Sequence, residues 1–189
     1  PETAEMENFE TVLAAAQRGD RRAADELFRA HQPMLLRYLR SQERRVADDL
    51  AGEVWLAAAA ALPEFRGTEA GYRSWLFTVA RRRVIEHRRR GIRRRTDVVD
   101  PVIFLDSSAT DDPATTAAES LDAQAAVDLI ADLLSPEQAE VLILRIVADL
   151  SAADVAELMG RPESWVRVTQ HRALKRLRAH LAAPVEVTT

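Results

Sequence analysis

Two helix-start signals within residues 135–181 constrain the fold of this chain more than any other feature. Ser135 is followed by proline at the first helical position and by Gln138 at the third, which is a capping box with proline where its missing N–H costs nothing. Ser151 repeats the pattern, with Asp154 at the third position. Each serine therefore predicts the N-terminus of a helix.

The helix that starts after Ser151 predicts a helix-turn-helix. Gly160 readily takes the left-handed conformation that helix ends favour, and a new helix can begin near Glu163 or Ser164. A short helix, a turn containing glycine and a second helix together make this motif.

The last helix has two chemically different faces. Five apolar residues form one stripe at helical spacing, namely Val166, Ala173, Leu174, Leu177 and Leu181. Another face is uniformly cationic from Arg167 to Arg178. A DNA-recognition helix needs base-contacting residues near its N-terminus and cations for phosphates farther along. A basic, solvated face on an ordinary core helix is the alternative for this segment alone.

The composition favours helices and excludes several classes of protein. Of the 189 residues, 47% are hydrophobic but only 5% are aromatic, and alanine is abundant. The absence of cysteine excludes disulfides and thiolate metal sites, and the four histidines show no ligand spacing. The sequence also lacks a nucleophile–base pair and a glycine-rich phosphate loop, so we expect no enzyme, no metal and no cofactor.

Nothing in the sequence predicts insertion into a membrane. There is no run of about 18 apolar residues. The acidic N-terminus lacks the apolar core of a signal peptide. We therefore expect a cytoplasmic protein.

The net charge of −4 conceals a strong segregation of charge along the chain. Residues 81–95 contain nine arginines and one acid, whereas residues 96–144 contain eleven acids and no lysine or arginine. The C-terminal helix is basic again. Two basic blocks separated by an acidic spacer predict two contacts with one polyanion, from which the spacer is repelled.

The chain divides by composition into two small helical domains joined by a flexible acidic linker, which predicts an all-α protein. Residues 1–8 resemble a disordered lead-in, the helix after them ends at Gly19, and Pro33 interrupts or restarts the next helix. Leu121, Ala125, Leu129 and Leu133 recur at a spacing of four and predict a helix that packs on the one after Ser135. The predicted segments are 1–19 (lead-in and first helix), 20–95 (first domain), 96–120 (linker), 121–183 (second domain) and 184–189 (tail).

Residues 46–62 predict a helix with an acidic side. Its apolar positions recur at a spacing of four: Val46, Leu50, Val54, Ala58 and Leu62. Asp48, Asp49 and Glu53 project from other faces, with Trp55 beside them. A solvated acidic face and a docking surface are both consistent with this pattern.

Aromatic residues lie close to arginines in the loop at residues 64–71 and in the long helix predicted from Tyr72. This combination suits single-stranded nucleic acid, because bases stack on rings while guanidinium groups hold the backbone. Phe65, in the glycine-flanked loop, is the better candidate for holding an unstacked base. Trp75 suits a core position equally well.

Four motifs occur in order along the chain. Residues 48–55 read Asp-Asp-Leu-Ala-Gly-Glu-Val-Trp, and residues 75–81 contain Trp-Leu-Phe followed by Ala-Arg. Residues 150–160 read Leu-Ser-Ala-Ala-Asp-Val-Ala-Glu-Leu-Met-Gly, and residues 166–173 read Val-Arg-Val-Thr-Gln-His-Arg-Ala. With these motifs the chain closely resembles the extracytoplasmic-function (group 4) sigma factors of bacterial RNA polymerase, within the sigma-70 family. The resemblance covers roughly residues 20–95 and 121–181.

The resemblance implies a helical region 2 domain, a linker and a region 4 helix-turn-helix domain, with three sets of binding residues. The residues implied to bind core RNA polymerase are Asp48, Asp49, Glu53, Val54 and Trp55. Contacts with the minus-ten element fall to Phe65, Arg66, Gly67, Thr68, Trp75, Arg81, Arg82 and Arg83. Contacts with the minus-thirty-five element fall to Ser164, Trp165, Arg167, Val168, Thr169, His171, Arg172 and Lys175. The linker is expected to thread into the polymerase channel.

Three departures from the family pattern have consequences. Gly52 stands where the family usually has glutamine, which weakens the helix by about 1 kcal/mol. Arg82 stands where asparagine is common. Val168, Thr169 and Gln170 replace the more usual serine, arginine and leucine, so we expect an altered promoter specificity.

The resemblance implies a bacterial transcription initiation factor that binds core polymerase and promoter DNA and helps to open the bubble. Such a protein is cytoplasmic and associates with the nucleoid as part of the holoenzyme. A stand-alone repressor or activator with the same helix-turn-helix is the competing hypothesis. A resting complex with an anti-sigma factor is compatible with the first.

Overall fold

The computed structural model describes residues 2–96 and 117–182, and almost all of this part of the chain is helical. The first domain contains α1 (Glu2–Gln17), α2 (Arg21–Glu43), α3 (Ala47–Ala61) and α4 (Glu69–Thr96). The second domain contains α5 (Ala117–Leu133), α6 (Pro136–Ile146), α7 (Ala152–Met159) and α8 (Glu163–Ala182). Short 3-10 helices at Arg44–Val46 and Leu62–Glu64 flank α3. These described ranges contain no strand, which confirms the all-α class.

The starts of α6 and α7 lie where the sequence predicts them, and α2 also begins after a capping residue. Asp20 caps α2 by accepting hydrogen bonds from two backbone N–H groups, at 2.8 and 3.1 Å. Ser135 and Ser151 cap α6 and α7, each within a complete capping box. Gly160 ends α7 with a φ of 64°, in the left-handed region that glycine favours. The helix-turn-helix prediction is confirmed.

The first domain is organised around α2, which packs against α1, α3 and α4. Its Leu35, Tyr38 and Leu39 are fully buried. Tyr38 meets Phe77 of α4 edge to face, with ring centroids 5.4 Å apart. The His31 ring meets the Tyr72 ring edge to face, with centroids 5.0 Å apart. Burial lowers the pKa of this histidine. The core therefore fixes α3 and α4, the helices that carry the predicted binding residues.

The second domain is built around α6, which contacts α5, α7 and α8. Four consecutive residues of α6, Val141 to Leu144, are fully buried. Consecutive residues point in different directions on a helix, so burial of all four means that α6 is surrounded on every side. One of its neighbours is the first domain, because α6 also packs against α2.

The two domains contact each other through paired charges as well as apolar side chains. Glu140 of α6 accepts hydrogen bonds from the Tyr38 hydroxyl and from Arg81 Nε, both at 3.0 Å. Burial, together with the Glu140 carboxylate, raises the pKa of Tyr38 well above its ordinary value. Two further ion pairs flank this contact, Arg44–Asp128 at 3.1 Å and Arg73–Asp149 at 3.3 Å. In all three pairs the first domain supplies the arginine and the second supplies the acid.

Several predictions about the first domain need correction. Residues 2–8 belong to α1, although the sequence predicts a disordered lead-in. Pro33 lies inside α2 and does not interrupt it. Pro33 is exposed, so the carbonyl that it leaves without a donor can be hydrated. Helix α4 begins at Glu69, three residues before the predicted Tyr72.

Helix α5 packs on α6 as predicted, but the predicted apolar stripe is wrong at three of its four positions. Leu121 and Leu129 are exposed, by 70% and 37%, as is Ala125, whereas Leu133 is partly buried and Val127 and Leu134 are buried. Helix α5 contacts both α6 and α2, so its buried residues are those that meet these two neighbours. Leu181 on α8 is likewise exposed, because the helix extends past its last packing partner. The predicted linker overlaps the start of α5, and its residues 97–116, like the tail, lie outside the described ranges.

We predict that Glu140→Gln loosens the contact between the domains, because it removes the charge that holds Arg81 while preserving an acceptor for Tyr38. A hydrogen bond to a charged group in a partly buried site contributes about 1.5–3 kcal/mol. The chain contains no cysteine, so cysteines introduced at exposed Ala24 and Ala179 can be labelled for energy transfer. The expected result is lower transfer efficiency in the variant.

Glu157→Gln is the matched control, since it removes the same charge from an exposed position of the second domain. Equal transfer efficiency in the Glu140 and Glu157 variants would contradict the assigned role of Glu140.

Candidate nucleic-acid interface

The outward face of α8 carries the exposed residues predicted to contact DNA, three of which are cationic. The inward face packs on α6 and α7 through Val166 and Ala173, both fully buried. The exposed residues are Ser164, Arg167, Val168, His171, Arg172 and Lys175. Helix α8 is therefore anchored along one stripe and presents its opposite side, with positive charge, to the solvent.

Two residues of the predicted minus-thirty-five set are differently placed. Thr169 is only 8% exposed, so the structure contradicts its assignment as a DNA contact. The physical reason is helical spacing: Thr169 is three residues after Val166 and four before Ala173, which places it on the buried stripe. Trp165 is half-buried and packs against the core, with the Arg161 guanidinium 5.1 Å from its ring.

Arg145 holds α8 in its orientation and was missed by the sequence analysis. Its Nε donates to the side-chain oxygen of Gln170 at 3.1 Å, and its guanidinium also donates to the backbone carbonyl of Leu150. One side chain therefore links α6, the turn before α7 and the recognition helix. A single arginine near the end of the apolar helix α6 is the only sequence signal for this role.

The arginines of α4 have different partners. Arg81 is held by Glu140, and its Nη1 also lies 3.5 Å from the carbonyl oxygen of Leu158. Arg83 pairs with Glu86 at 3.0 Å. Arg82 is exposed. Of the three arginines predicted to contact the minus-ten element, Arg82 is thus the most accessible, whereas Arg81 already donates to Glu140.

The three acids predicted to dock on polymerase do not form one cluster. Glu53 points towards α4, where its carboxylate lies 3.9 Å from Arg83 and 3.6 Å from Arg90. Asp48 lies 3.7 Å from Arg40, and Asp49 is exposed.

Val54 is fully buried, so the structure contradicts its assignment as a polymerase contact. It belongs to the buried stripe of α3 that includes Leu50 and Ala58.

Two large apolar side chains are exposed on α3 and α2 and were also missed. Leu56 of α3 is 76% exposed, and Phe28 of α2 is 40% exposed and packs on the ring of Trp55 at a centroid distance of 5.0 Å. Trp55 Nε1 donates to Gln32 Oε1 at 2.5 Å, which fixes the indole. Leu56 and Phe28 are therefore candidates for a protein-binding surface. The sequence signal is weak, because Leu56 falls outside the stripe of period four.

The loop after α3 is held in a defined conformation. Phe65 packs edge to face on Tyr72 at 5.4 Å and lies tilted on Trp75 at 5.5 Å. Gln17 Nε2 donates to the carbonyl oxygens of Leu62 and Phe65, at 3.0 and 2.8 Å. At Gly67 a Cβ atom would lie 3.1 Å from the Phe65 ring, and φ is +156°. Phe65 and Trp75 therefore lie together, both half-buried, as a small aromatic platform.

The part of the chain that the structure describes contains neither a membrane-spanning helix nor a metal-binding cluster. No helix in residues 2–96 or 117–182 is both long and apolar enough to cross a bilayer. The same residues contain no cluster of three or more side chains suited to binding a metal ion.

Family models and known proteins agree on what the chain resembles. The models "Sigma-70 region 2" and "Sigma-70, region 4" match residues 27–95 and 131–179. The ECF RNA polymerase sigma factor SigD of Mycobacterium tuberculosis (strain ATCC 25618 / H37Rv) is 35% identical, over 96% of this chain and 87% of its own length. The ECF RNA polymerase sigma factor ShbA of Streptomyces griseus is 34% identical, over 89% and 95%.

A solved structure shares the fold. The sigma factor RpoE in complex with the anti-sigma factor NepR from Bartonella quintana aligns with a TM-score of 0.59 and 23% identity, over 83% of this chain and 95% of that chain. The helix-turn-helix, the arginine-rich α4 and the two matched regions lead to one conclusion. The chain belongs to the extracytoplasmic-function sigma factors of RNA polymerase, which are non-catalytic transcription initiation factors.

Proposed function

We propose that this chain binds core RNA polymerase through α3 and contacts promoter DNA at two places, through α4 with its preceding loop and through α8. The observation that carries the proposal is the pairing of two unlike surfaces. One consists of exposed Leu56 and Phe28, here called the apolar patch, with exposed Asp49 on α3, and the other is the cationic outward face of α8. The first suits a protein partner and the second suits a polyanion.

The proposed docking surface includes Leu56 and Phe28 together with Asp48 and Asp49, and Asp49 lies seven residues before Leu56 on the same side of α3. Apolar side chains supply the buried centre of an interface, and charged groups at the rim steer association and fix orientation. Its carboxylates fit a polymerase surface that carries basic groups around an apolar centre. Glu53 acts from the adjacent side by orienting Arg83 and Arg90 of α4.

The minus-ten surface combines the Phe65–Trp75 platform with the arginines that follow on α4. An unpaired base can stack on an exposed aromatic face, while arginines bind the backbone phosphates. Arg66, Gly67 and Thr68 shape the loop, since Arg66 Nη1 donates to the carbonyl oxygens of Pro63 and Phe65 and Thr68 accepts from the Gly71 N–H. Arg82 is more exposed than Arg81 and Arg83, so it is the arginine of this group that DNA reaches most easily.

The minus-thirty-five surface is the exposed side of α8 from Ser164 to Lys175. Arg167 is paired with Glu163 at 2.5 Å, one helical turn earlier, which restricts the guanidinium before DNA arrives. A recognition helix contacts base edges with its first turns, so Ser164, Arg167, Val168 and His171 face the bases and Arg172 and Lys175 face phosphates. Arg145 supports this surface from behind through Gln170.

With this assignment the chain acts by binding and not by catalysis. It works in the cytoplasm, at the nucleoid, where the polymerase meets the chromosome. We also propose a resting complex with an anti-sigma factor that covers the apolar patch on α3. The solved structure of RpoE in complex with the anti-sigma factor NepR motivates this proposal. An uncovered patch centred on Leu56 is costly in water.

The docking assignment predicts that Asp49→Ala combined with Leu56→Ala weakens binding to core polymerase by about tenfold or more, since a central interface residue contributes over 1 kcal/mol. Both side chains are exposed, so the fold is expected to remain intact. Binding of labelled core polymerase, with helicity measured by circular dichroism, checks this prediction.

Leu121→Ala with Asp122→Ala is the matched control, because it removes the same residue types from an exposed part of α5. The docking assignment fails if this control loses as much affinity for core polymerase as the α3 variant does.

The assignment of α8 as the recognition helix predicts that substitutions there weaken promoter binding and leave polymerase binding intact. Arg167→Ala or His171→Ala is expected to lower the affinity of the holoenzyme for a promoter fragment by about 1–3 kcal/mol, the range for one base contact. Binding to core polymerase is expected to stay unchanged. Parallel loss of polymerase binding and promoter binding in either variant would argue against separate surfaces.

A further inference from the structure

Val168 is an exposed apolar residue on the otherwise polar and cationic outward face of α8. It is 47% exposed, and it is the one large hydrophobic side chain among the exposed residues between Glu163 and Arg178. Its polar neighbours on the helix surface, at spacings of three, four and seven residues, are Ser164, His171, Arg172 and Lys175, and the half-buried Trp165 lies three residues earlier. An apolar side chain thus occupies the middle of a polar and cationic face.

The protein core does not account for this valine. Val168 belongs to neither of the hydrophobic clusters, which take Val166 and Ala173 from the opposite side of α8. Exposed Leu181 differs, because it lies near the C-terminal end of the helix and outside the DNA-facing turns. Val168 is the sixth residue of α8, within the part of a recognition helix that reaches base edges.

The major groove offers one apolar group for such a side chain, the 5-methyl group of thymine. The other base edges present hydrogen-bond donors and acceptors, which an aliphatic side chain cannot satisfy. The positive charge around Val168 favours a polyanion over an apolar protein surface as its partner. We propose that Val168 selects thymine at one position of the minus-thirty-five element by packing against its methyl group. This inference rests on the proposed function of α8.

Valine suits this role because its side chain is stiff. A β-branched residue in a helix occupies essentially one χ1 rotamer, so its two methyl groups are held in place before DNA binds. Alanine is too short to reach the methyl group, and threonine keeps one methyl group but adds a hydroxyl that requires a hydrogen-bond partner.

The test uses the full chain in holoenzyme and a duplex library with a randomised minus-thirty-five region. After selection, each thymine of the enriched sequence is replaced singly by deoxyuridine, which removes only the methyl group. At one position the replacement is expected to lower affinity about three- to fivefold, the effect of losing one buried methyl group. Val168→Ala is expected to bind the thymine and deoxyuridine duplexes equally at that position.

Leu181→Ala serves as the matched control and is expected to keep the preference for thymine. If enrichment occurs but no thymine shows a methyl effect, or if Val168→Ala keeps the effect, the role of Val168 is refuted while the function of α8 stands. If no sequence is enriched, the proposed promoter function fails and the role of Val168 fails with it. Loss of binding to a protein partner in Val168→Ala, with unchanged DNA selectivity, would assign the residue to a protein interface.

Discussion

The arrangement of the two domains depends on the hydrogen bonds that the Glu140 carboxylate accepts from the first domain. This carboxylate lies on the central helix α6 and binds both Tyr38 and Arg81 of the first domain, where a charge without partners would be costly. Because Arg81 is also proposed to bind promoter DNA, the domain contact and the proposed DNA contact share one guanidinium. Acids of the second domain also pair with Arg44 and Arg73 of the first.

The position of the recognition helix follows from the same central helix. Helix α6 is surrounded on all sides, and Arg145 near its end reaches both the turn before α7 and Gln170 of α8. A rigid support of this kind leaves the opposite side of α8 free and fixes its direction. Promoter specificity can then vary through exposed residues such as Val168 without loss of the fold.

The sequence predicts local features well because they depend on neighbouring residues. Capping boxes, the glycine turn and the outward cations of α8 are all where the residue pattern places them. Burial of Thr169 could also be anticipated from its spacing to Val166 and Ala173. Features set by distant residues could not be predicted. Leu121 and Leu129 have perfect helical spacing but face solvent, and the pairing of Glu140 with residues 59 and 102 positions away leaves no local signal.

Mapping of transcript 5′ ends tests the central claim most directly. Core RNA polymerase is incubated with genomic DNA fragments, with and without the full chain, and the starts are compared. The account predicts new, discrete starts that share two upstream elements at a constant spacing, because one chain carries both DNA-contacting surfaces. The same starts with and without the chain, or new starts that share no such pair of elements, would contradict it.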